Sequence, residues 1–407
     1  MGSRATYDLS SDAFFRDPYP TLRRMQQEDP VYFWEPMKAW MLTSYQQIHT
    51  LLRDPRFSAQ RARPLLSTLA ATVGAEGAEE MIAQWSRMVL FLDPPRHTQT
   101  RSFLNQGFSP ASIRALRSGI EAVARQALDA HRALGVIDIA TQYADPISLV
   151  TLSNLFAVPE EDRPQLRRWS NDLFKPAGVG ISAEEVAHRV VQSSQELMAY
   201  MKKLVHERRG RPGRDLVSRL IEHEAQAPQP EGEVVIQCVQ ILAAGYVTTA
   251  NQITNAVLCL LKHPSELQRL REDPGLLSHA VEEAMRYEPS GLAVSRICIQ
   301  DTEIGDKSIK QGEFVFGFFA AANRDPEIFP DADRFDIRRN PGRHLTFSSG
   351  PHYCLGSMLS RAEIEEALRV LLELSDWELG EEPYVYEGAN LQDRAPKTLQ
   401  MRFRARS

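Results

Sequence analysis

The sequence predicts a mainly α-helical protein with small β-sheets, because helical patterns are long and strand-like patterns are short. Apolar residues recur at helical spacing through most of the chain from 111 to 227. The stretch Glu233–Lys262 has no charged residue between its two ends. At 1.5 Å rise per residue it predicts a helix about 45 Å long. Strand-like runs such as Val31–Trp34 and Ala39–Leu42 span only a few residues.

Composition is typical of a globular protein with a large core. The 407 residues are 43% hydrophobic and 25% charged, and the net charge of -6 argues against nucleic-acid binding as a main role. The four cysteines are scattered without a C-x-x-C pair, which argues against a disulfide framework or a zinc site and fits a reducing compartment. No linker divides the chain, so we expect a tail over 1–18 and one domain over 19–407. The tail has no apolar run long enough for a signal peptide or anchor, which predicts a cytoplasmic protein.

The N-terminal part predicts several short elements. A helix over 18–28 precedes a hairpin of the two strand-like runs, and a second helix runs from about Tyr45 to Arg53. The segment from Ser58 to about Leu92 has only weak periodicity, and a segment this long and irregular is often functional.

A second distinctive stretch follows at Asp93-Pro94-Pro95. Proline favours a helix start, so His97 and Arg101 lie four residues apart on one helix face. The Arg fork and the His donor together suit an anionic carboxylate. An ordinary solvated helix face is the alternative.

The uncharged Glu233–Lys262 stretch is long enough to span a membrane, but polar residues such as Gln237, Gln252 and Asn255 make that costly, and a core helix is the better interpretation. At its middle, Gly245 costs about 1 kcal/mol relative to Ala. Thr248 can return its hydroxyl to the carbonyl of Ala244 and bend the helix. Together these residues predict a groove.

Towards the C-terminus, Glu283 and Arg286 lie one helical turn apart and can pair, ordinarily as a surface ion pair worth little. Short strand-like runs follow. One begins near residue 292, and the others lie at 303–309, 314–320, 377–379 and 399–403.

Cys354 precedes a helical pattern that continues through Ile364 and Leu368. At a helix N-terminus, exposed N–H groups and the helix dipole favour a thiolate, which is a metal ligand. Gly350 and Gly356 flank the cysteine and allow a sharp turn and close approach of a flat ligand. A lone cysteine in such a chain is more often a small buried hydrophobe.

The spacing F-x-x-G-x-H-x-C-x-G, from Phe347 to Gly356, resembles the haem-binding loop of the cytochrome P450 family, whose cysteine is the axial iron ligand. Ser348 departs from the glycine usual there, and a small residue is expected to fit. The D-P-P-x-H-x-x-x-R segment, the A-G-x-x-T-T segment at 244–249 and the E-x-x-R element also resemble that family. The resemblance runs from about Tyr19 to Phe403.

The resemblance implies the cytochrome P450 fold, with haem b between the Glu233–Lys262 helix and the cysteine loop. It implies that Cys354 is the axial ligand, that Thr248 steers protons, that Gly245 leaves room for dioxygen, and that Glu283 and Arg286 lock the core. Other haem-contacting residues are implied at His97, Arg101, Ala244, Arg296, Phe347, His352 and Gly356. Substrate contacts are implied at Met88, Val89, Phe91, Phe174, Val247, Leu292, Ala293 and Val294, with core packing as the alternative for the first three. A flexible connection is implied around 175–182.

Val247 stands where the family usually has an acidic residue. A carboxylate relays protons efficiently and valine cannot, so Thr248 needs another route. A substrate hydroxyl, a chain of waters, Asn251 or Gln252 are candidates. The alternative is that Val247 packs against a neighbour and water alone suffices.

The family resemblance implies monooxygenation, with electrons from an external ferredoxin and an NAD(P)H-dependent reductase because the chain has no reductase module. The implied substrate is a secondary metabolite such as a polyketide, peptide or terpenoid, free or bound to a carrier protein. Because Val247 stands in place of the usual acid, oxidative coupling, ring formation and peroxide-driven oxidation are alternative reactions. A haem-binding relative without catalytic activity is a third possibility.

Overall fold

A computed structural model of the chain describes residues 6–73, 75–174, 184–339, 342–386, 391 and 394–405. The chain forms two compact units. The first contains residues 1–58, 124–144 and 248–407, and the second contains residues 59–123 and 145–247.

The helices of the described residues are α1 Asp12–Arg16, α2 Tyr19–Glu28, α3 Tyr45–Leu51, α4 Ala62–Val73, α5 Ala75–Trp85, α6 Arg96–Asn105, α7 Pro110–Asp129, α8 Asp145–Phe156, α9 Arg163–Phe174, α10 Glu184–Gly210, α11 Leu216–Gln226, α12 Glu233–Gly245, α13 Val247–Lys262, α14 Pro264–Glu272, α15 Leu277–Tyr287, α16 Phe319–Ala322 and α17 Ser357–Leu371. The strands are β1 Val31–Trp34, β2 Ala39–Leu42, β3 Phe57–Ser58, β4 Val136–Asp138, β5 Ala293–Cys298, β6 Thr302–Ile304, β7 Lys307–Ile309, β8 Phe314–Phe318, β9 Leu374–Leu379 and β10 Gln400–Ala405.

The first unit is built on a five-stranded sheet of order β1-β2-β8-β5-β3. The predicted hairpin is confirmed, with Val31 opposite Leu42 in the antiparallel pair β1–β2. Strand β2 pairs in parallel with β8, which pairs antiparallel with β5. Helix α3 packs closely on this sheet: a Cβ at Gly317 would lie 2.9 Å from Ile48 Cγ2. A side chain at Gly317 would therefore push α3 away.

A three-stranded sheet of order β4-β10-β9 and the β6–β7 pair complete the strands described in this unit. Strand β4 lies in the stretch that the sequence predicts as helical, and that prediction is wrong over Val136–Asp138. Helix α7 ends at Asp129, and Gly135, with φ +66°, lies at the end of the turn that follows; its carbonyl accepts a hydrogen bond from Phe403 N at 2.9 Å. Pairing with a strand distant in sequence thus overrides the local pattern.

The second unit consists of helices α4 to α6, the first part of α7, and α8 to α12. Trp85 Nε1 of α5 donates to Ser194 Oγ of α10 at 3.1 Å, and Ser193 Oγ donates to Asp172 Oδ2 of α9 at 2.8 Å. Buried polar contacts therefore fix α10 against both neighbours.

The expectation of an irregular segment over 58–92 is wrong. The chain there forms α4, α5 and a 3₁₀ turn, Val89–Phe91. Alanine, leucine and glutamate dominate these helices, so helix propensity is high although the apolar spacing is weak.

The predicted single helix over Glu233–Lys262 is divided in two at Tyr246. By length and composition this region qualifies as a membrane span, but 67% of its apolar window is buried inside the protein. That burial is typical of a core helix.

Candidate active site

The cysteine loop is closed by backbone hydrogen bonds within the first unit. Cys354 N donates to Phe347 O at 2.9 Å, and Tyr353 N donates to Gly350 O at 3.1 Å. Helix α17 begins at Ser357, with Gly356 as its N-cap residue. Cys354 therefore lies just before a helix N-terminus, as the sequence predicts.

Two residues of the loop have a left-handed backbone conformation. Gly350 has φ +69°, and a Cβ there would lie 3.0 Å from Leu52 O. Ser348 has φ +64°, so the family glycine at this position serves conformation as well as size. Gly356 has an ordinary φ of -84°, and a Cβ there would meet no described atom within 4 Å. Gly356 thus leaves open space beside the cysteine.

Cys354 is also distinguished by its accessibility. Cys238, Cys259 and Cys298 are buried, whereas Cys354 is half-buried. Burial raises the pKa of the thiols of Cys238 and Cys259, which disfavours their thiolates. A thiol that must reach a ligand fits Cys354 best among the four.

Glu283 and Arg286 are completely buried, so the surface alternative is wrong for this pair. Their side chains meet at 2.7 Å and 2.8 Å. Arg286 also donates to the carbonyls of Asn323 and Ala332, at 2.8 Å each, and Glu283 accepts from Asp336 N at 3.0 Å. The pair therefore fixes α15 to the irregular segment that precedes the cysteine loop.

A second ion pair braces α15 against α17. Arg361 donates to both oxygens of Glu282, and His344 Nε2 lies 3.1 Å from Glu282 Oε2. Burial raises the pKa of Glu282, but hydrogen bonds from His344 and Arg361 outweigh burial and lower the pKa to about 2. The Arg361 guanidinium also lies 4.6 Å from the centre of the Phe347 ring. The start of the cysteine loop is thereby tied to α17.

The candidate residues on and before β5 do not share one face. Leu292 and Ala293 are buried and donate their N–H groups to Leu391 O at 2.9 and 3.0 Å. Val294 and Arg296 are two residues apart on one face of the strand, and Ala293 projects to the other. Val294 packs against the core of the five-stranded sheet, and Arg296 is only 3% exposed.

The two threonines in the first turn of α13 differ in burial and in their contacts. Thr249 is buried and its hydroxyl lies 3.5 Å from Ser360 Oγ of α17, whereas Thr248 is half-buried. Both ends of the Gln252 side-chain amide form hydrogen bonds to the backbone. Nε2 donates to Glu288 O at 3.0 Å, and Oε1 accepts from Ser290 N at 2.9 Å. Gln252 is therefore not a free proton relay, and of the two polar candidates only Asn251 retains access.

Accessible residues form a strip at the start of α13, which is otherwise buried over most of its length. Val247, Thr248 and Asn251 are half-buried. Asn251 follows Val247 by four residues and Thr248 by three, so the three residues lie on one face of α13. Ala244, near the end of α12, is exposed.

In the second unit, α6 carries His97 and Arg101 and is fixed to the start of α12. Glu233 is completely buried, and its carboxylate accepts from Arg96 at 2.8 Å and from Thr100 Oγ1 at 3.2 Å. His97 is 2% exposed and Arg101 is half-buried. Sequence inspection missed Glu233 because one carboxylate at a helix end is ordinarily solvated.

The 3₁₀ turn that bears Met88, Val89 and Phe91 is also bound to α12. Val89 N donates to Gln237 Oε1 and Leu90 N donates to Gln240 Oε1, at 3.0 Å each. Met88, Val89 and Phe91 are all less than 10% exposed. In the sequence, Gln237 and Gln240 are polar positions of a largely apolar helix, and no local pattern indicates this partner.

Gly245 lies against α8. A Cβ at Gly245 would lie 3.2 Å from Leu152 Cδ1, which is tighter than ordinary contact. Close packing on α8 is therefore one reason for glycine at this position.

Comparison with known proteins agrees with these features. The family model described as cytochrome P450 matches residues 32–389, which include parts of both units. The chain belongs to the cytochrome P450 family. Its relatives include a monooxygenase, PikC of Streptomyces venezuelae, 34% identical over 88% of this chain and 84% of the relative. The polyketide biosynthesis cytochrome P450 PksS of Bacillus subtilis is 31% identical over 88% of this chain and 89% of the relative.

Among solved structures, P450BioI in complex with a fatty-acid-loaded acyl carrier protein has a TM-score of 0.88 at 31% identity. The match covers 96% of this chain and 100% of P450BioI. The predicted mainly α cytochrome P450 fold is confirmed, and the chain is an oxidoreductase of the monooxygenase class.

As in a cytochrome P450, the residues present fit haem. The accessible thiol of Cys354 is a suitable axial donor, and Gly356 leaves open space next to it. In the strip at the start of α13, Thr248 and Asn251 offer half-buried polar groups. The side chain of Phe174, at the end of α9, and the predicted connection at 175–182 lie outside the described residues.

Proposed function

We propose that this cytochrome P450 is a haem-thiolate monooxygenase that inserts one oxygen atom from O2 into an organic substrate, and that residues 19–407 act as one domain after a tail at 1–18. The observation that carries the proposal is the half-buried thiol of Cys354 in a loop fixed by hydrogen bonds, next to open space at Gly356. The family match over residues 32–389 supports it.

Cys354 would hold the iron through its thiolate. Bound haem supplies the oxygen-activating chemistry, and thiolate ligation favours cleavage of the O–O bond. The closed backbone of the loop keeps the sulfur in place, and the left-handed turns at Ser348 and Gly350 set its direction.

Thr248 would hold a proton donor toward the substrate side of the haem. Its accessibility supports this role, since its neighbour Thr249 faces Ser360 instead. Ala244 and Gly245, in the preceding turn, would leave room for dioxygen. Val247 provides no carboxyl group, so water or Asn251 would complete the route.

The haem carboxylates would be bound by four basic residues. His97 and Arg101 lie on α6, Arg296 lies on β5, and His352 lies in the cysteine loop. Arg offers a planar pair of donors for a carboxylate. Phe347 would pack against the haem, as the resemblance of its loop to the family motif implies.

Substrate would meet the accessible strip, including Val247, and the candidates on the two flanking segments. These are Met88, Val89, Phe91, Phe174, Leu292, Ala293 and Val294. The apolar character of all of them supports an apolar substrate.

Electrons would come from an external ferredoxin and an NAD(P)H-dependent reductase, as the family resemblance implies. We place the protein in the cytoplasm, which is where soluble carriers of this kind act.

A secondary metabolite such as a polyketide, peptide or terpenoid is the proposed substrate class. The polyketide relative and the carrier-bound structure support it, and the latter also supports a substrate presented on an acyl carrier protein. The test is a titration of the ferric protein with macrolides, peptides, terpenoids and fatty acids, each fatty acid both free and attached to a carrier protein. A saturable high-spin shift of the Soret band with one class identifies that class.

If a free fatty acid and its carrier-bound form give equal shifts, carrier presentation is excluded. If no compound shifts the band in either form, the proposed substrate class is wrong.

Oxidative coupling, or oxidation driven by peroxide, is a second candidate because Val247 and the structural use of Gln252 both remove proton relays. Turnover with redox partners is compared with turnover driven by hydrogen peroxide, using 18O2 in the first case. Monooxygenation predicts one labelled oxygen in the product. A product without new oxygen favours coupling, and turnover with peroxide alone favours the peroxide route.

A further inference from the structure

The helical conformation is interrupted at Tyr246, between α12 and α13. Tyr246 has φ -90° and ψ -65° and is only 2% exposed. An interruption frees backbone carbonyls from their usual helical partners, and buried carbonyls need other donors. The donors at this interruption come from the second unit.

Two buried serine hydroxyls donate to these carbonyls. Ser148 Oγ of α8 donates to Tyr246 O at 3.0 Å, and Ser170 Oγ of α9 donates to Leu242 O at 3.3 Å. Both serines are completely buried. Side chains of α8 and α9 therefore hold the interruption in place.

The phenol of Tyr246 is held by the same helix. Its hydroxyl donates to Asp145 Oδ1, and Arg167 of α9 pairs with the other carboxylate oxygen. Asp145 and Ser148 are three residues apart in the first turn of α8, so they lie on one face. The first turn of α8 thus holds Tyr246 at its side chain and at its backbone.

Thr248 follows two residues later, in the first turn of α13. The direction in which that turn starts depends on the backbone at Tyr246.

We propose that Tyr246 is a positioning residue for the reaction, which holds the helix interruption in place through Asp145 and Ser148 and so sets the position of Thr248. The inference rests on the proposed function, because it gives Thr248 its role. It adds Asp145 and Ser148, which lie outside the motifs, and Tyr246, which occupies a variable position of the segment at 244–249.

The first test is amide hydrogen exchange over residues 242–250 in the holoprotein. Tyr246→Phe and Ser148→Ala each remove one hydrogen bond, so exchange in this segment should rise about two- to tenfold, which corresponds to the net worth of one such bond. Because two variants are measured, the test can still be made if one of them fails to fold.

Matched controls exist for both changes. Tyr143→Phe removes a buried phenol that donates to Ala367 O at 2.7 Å, and Ser153→Ala removes a buried hydroxyl of α8 that donates to Leu149 O at 2.7 Å. Neither control should change exchange over 242–250. Unchanged exchange in both test variants, or an equal rise in the controls, would overturn the proposal.

The second test separates positioning from a merely structural role. Without substrate, the holoprotein is reduced by NADPH through a ferredoxin and its reductase and reoxidised by air, so that two electrons are available for each O2, and the rate of peroxide release is measured in light and heavy water. We expect Tyr246→Phe and Ser148→Ala to change the rate and its solvent isotope effect by about twofold or more, with the controls unchanged.

Raised exchange with unchanged reoxidation would leave only a structural role and contradict the inference. The reduced carbon monoxide spectrum of the wild-type protein is recorded in parallel. If it lacks the thiolate-type Soret band, the proposed function fails, and the exchange data still decide whether Tyr246 holds the interruption.

Discussion

Ser348 combines two unfavourable features within the cysteine loop. Its φ of +64° is a conformation that costs an L-residue roughly 1–2 kcal/mol. Its hydroxyl is buried and has no hydrogen-bond partner among the described residues. Glycine at this position would remove both costs.

We therefore predict that Ser348→Gly raises the free energy of unfolding by about 1 kcal/mol, after the greater flexibility of glycine in the unfolded chain is subtracted. For a chain of this length that corresponds to a rise in Tm of about 1–2 °C. Scanning calorimetry of the holoprotein measures it.

Ser349→Gly is the matched control in the same loop. Ser349 has an extended backbone, and its hydroxyl accepts from Arg53 Nε at 3.1 Å, so this change should lower Tm. Equal changes in the two variants would show that backbone conformation at Ser348 is not the cause.

At the scale of elements, α15 depends on the buried pair Glu283–Arg286. Removing one partner leaves a buried charge without compensation, which typically costs about 3–5 kcal/mol. We predict a loss of this size for Arg286→Met, measured by urea unfolding of the holoprotein together with its haem content.

The exposed pair Lys203–Glu207, one turn of α10 at 3.9 Å, provides the comparison. Lys203→Met should change the free energy of unfolding by less than about 0.5 kcal/mol. A loss below 1 kcal/mol for Arg286→Met would contradict the structural role given to the pair.

The elements that the sequence predicts well are those whose periodicity is strong. The hairpin, α2, α17 and the strands near 303–318 follow from local patterns. Strand β4 could not be predicted, because it forms by pairing with β10, which lies far away in sequence. The sequence predicts a bend near Ala244 and Thr248 but not the interruption at Tyr246, because the hydrogen-bond donors at that interruption lie on α8 and α9.

The features of the candidate site also differ in whether the sequence predicts them. The position of Cys354 before a helix and the left-handed turn at Gly350 follow from spacing and residue type. The buried state of Glu283 and Arg286 does not, since E-x-x-R is more often exposed. Glu233, Gln237 and Gln240 bind α6 and the turn at 89–91, and no sequence signal marks such tertiary partners.

At the scale of the whole molecule, Asp145 makes stability depend on pH. Burial raises its pKa from 3.8 to about 6, despite the ion pair with Arg167. The folded chain therefore holds this proton more tightly than the unfolded chain does. The stability contribution is fully present below about pH 4 and is lost as pH rises through about 6.

Asp145→Asn removes this dependence. We predict that the stability of the variant relative to wild type improves by about 1–3 kcal/mol between pH 4 and pH 7, at 1.36 kcal/mol per pKa unit. Urea midpoints at four pH values measure it.

Glu282→Gln is the control. Because the pKa of Glu282 is lowered from 4.5 to about 2, its stability contribution is present above about pH 4.5 and is lost only as pH falls towards 2. The cost of Glu282→Gln should hence be nearly constant from pH 5 to pH 7. If the stability difference between Asp145→Asn and wild type does not change with pH, the raised pKa assigned to Asp145 is wrong.

The most direct test of the central claim is the carbon monoxide difference spectrum of the reduced protein, recorded for wild type, Cys354→Ser and Cys298→Ala. We expect a thiolate-type Soret band in wild type and in Cys298→Ala, whose cysteine is buried away from solvent. We expect loss of that band in Cys354→Ser. Absence of the band in wild type, or its persistence in Cys354→Ser, would contradict the assignment of Cys354 as the haem ligand.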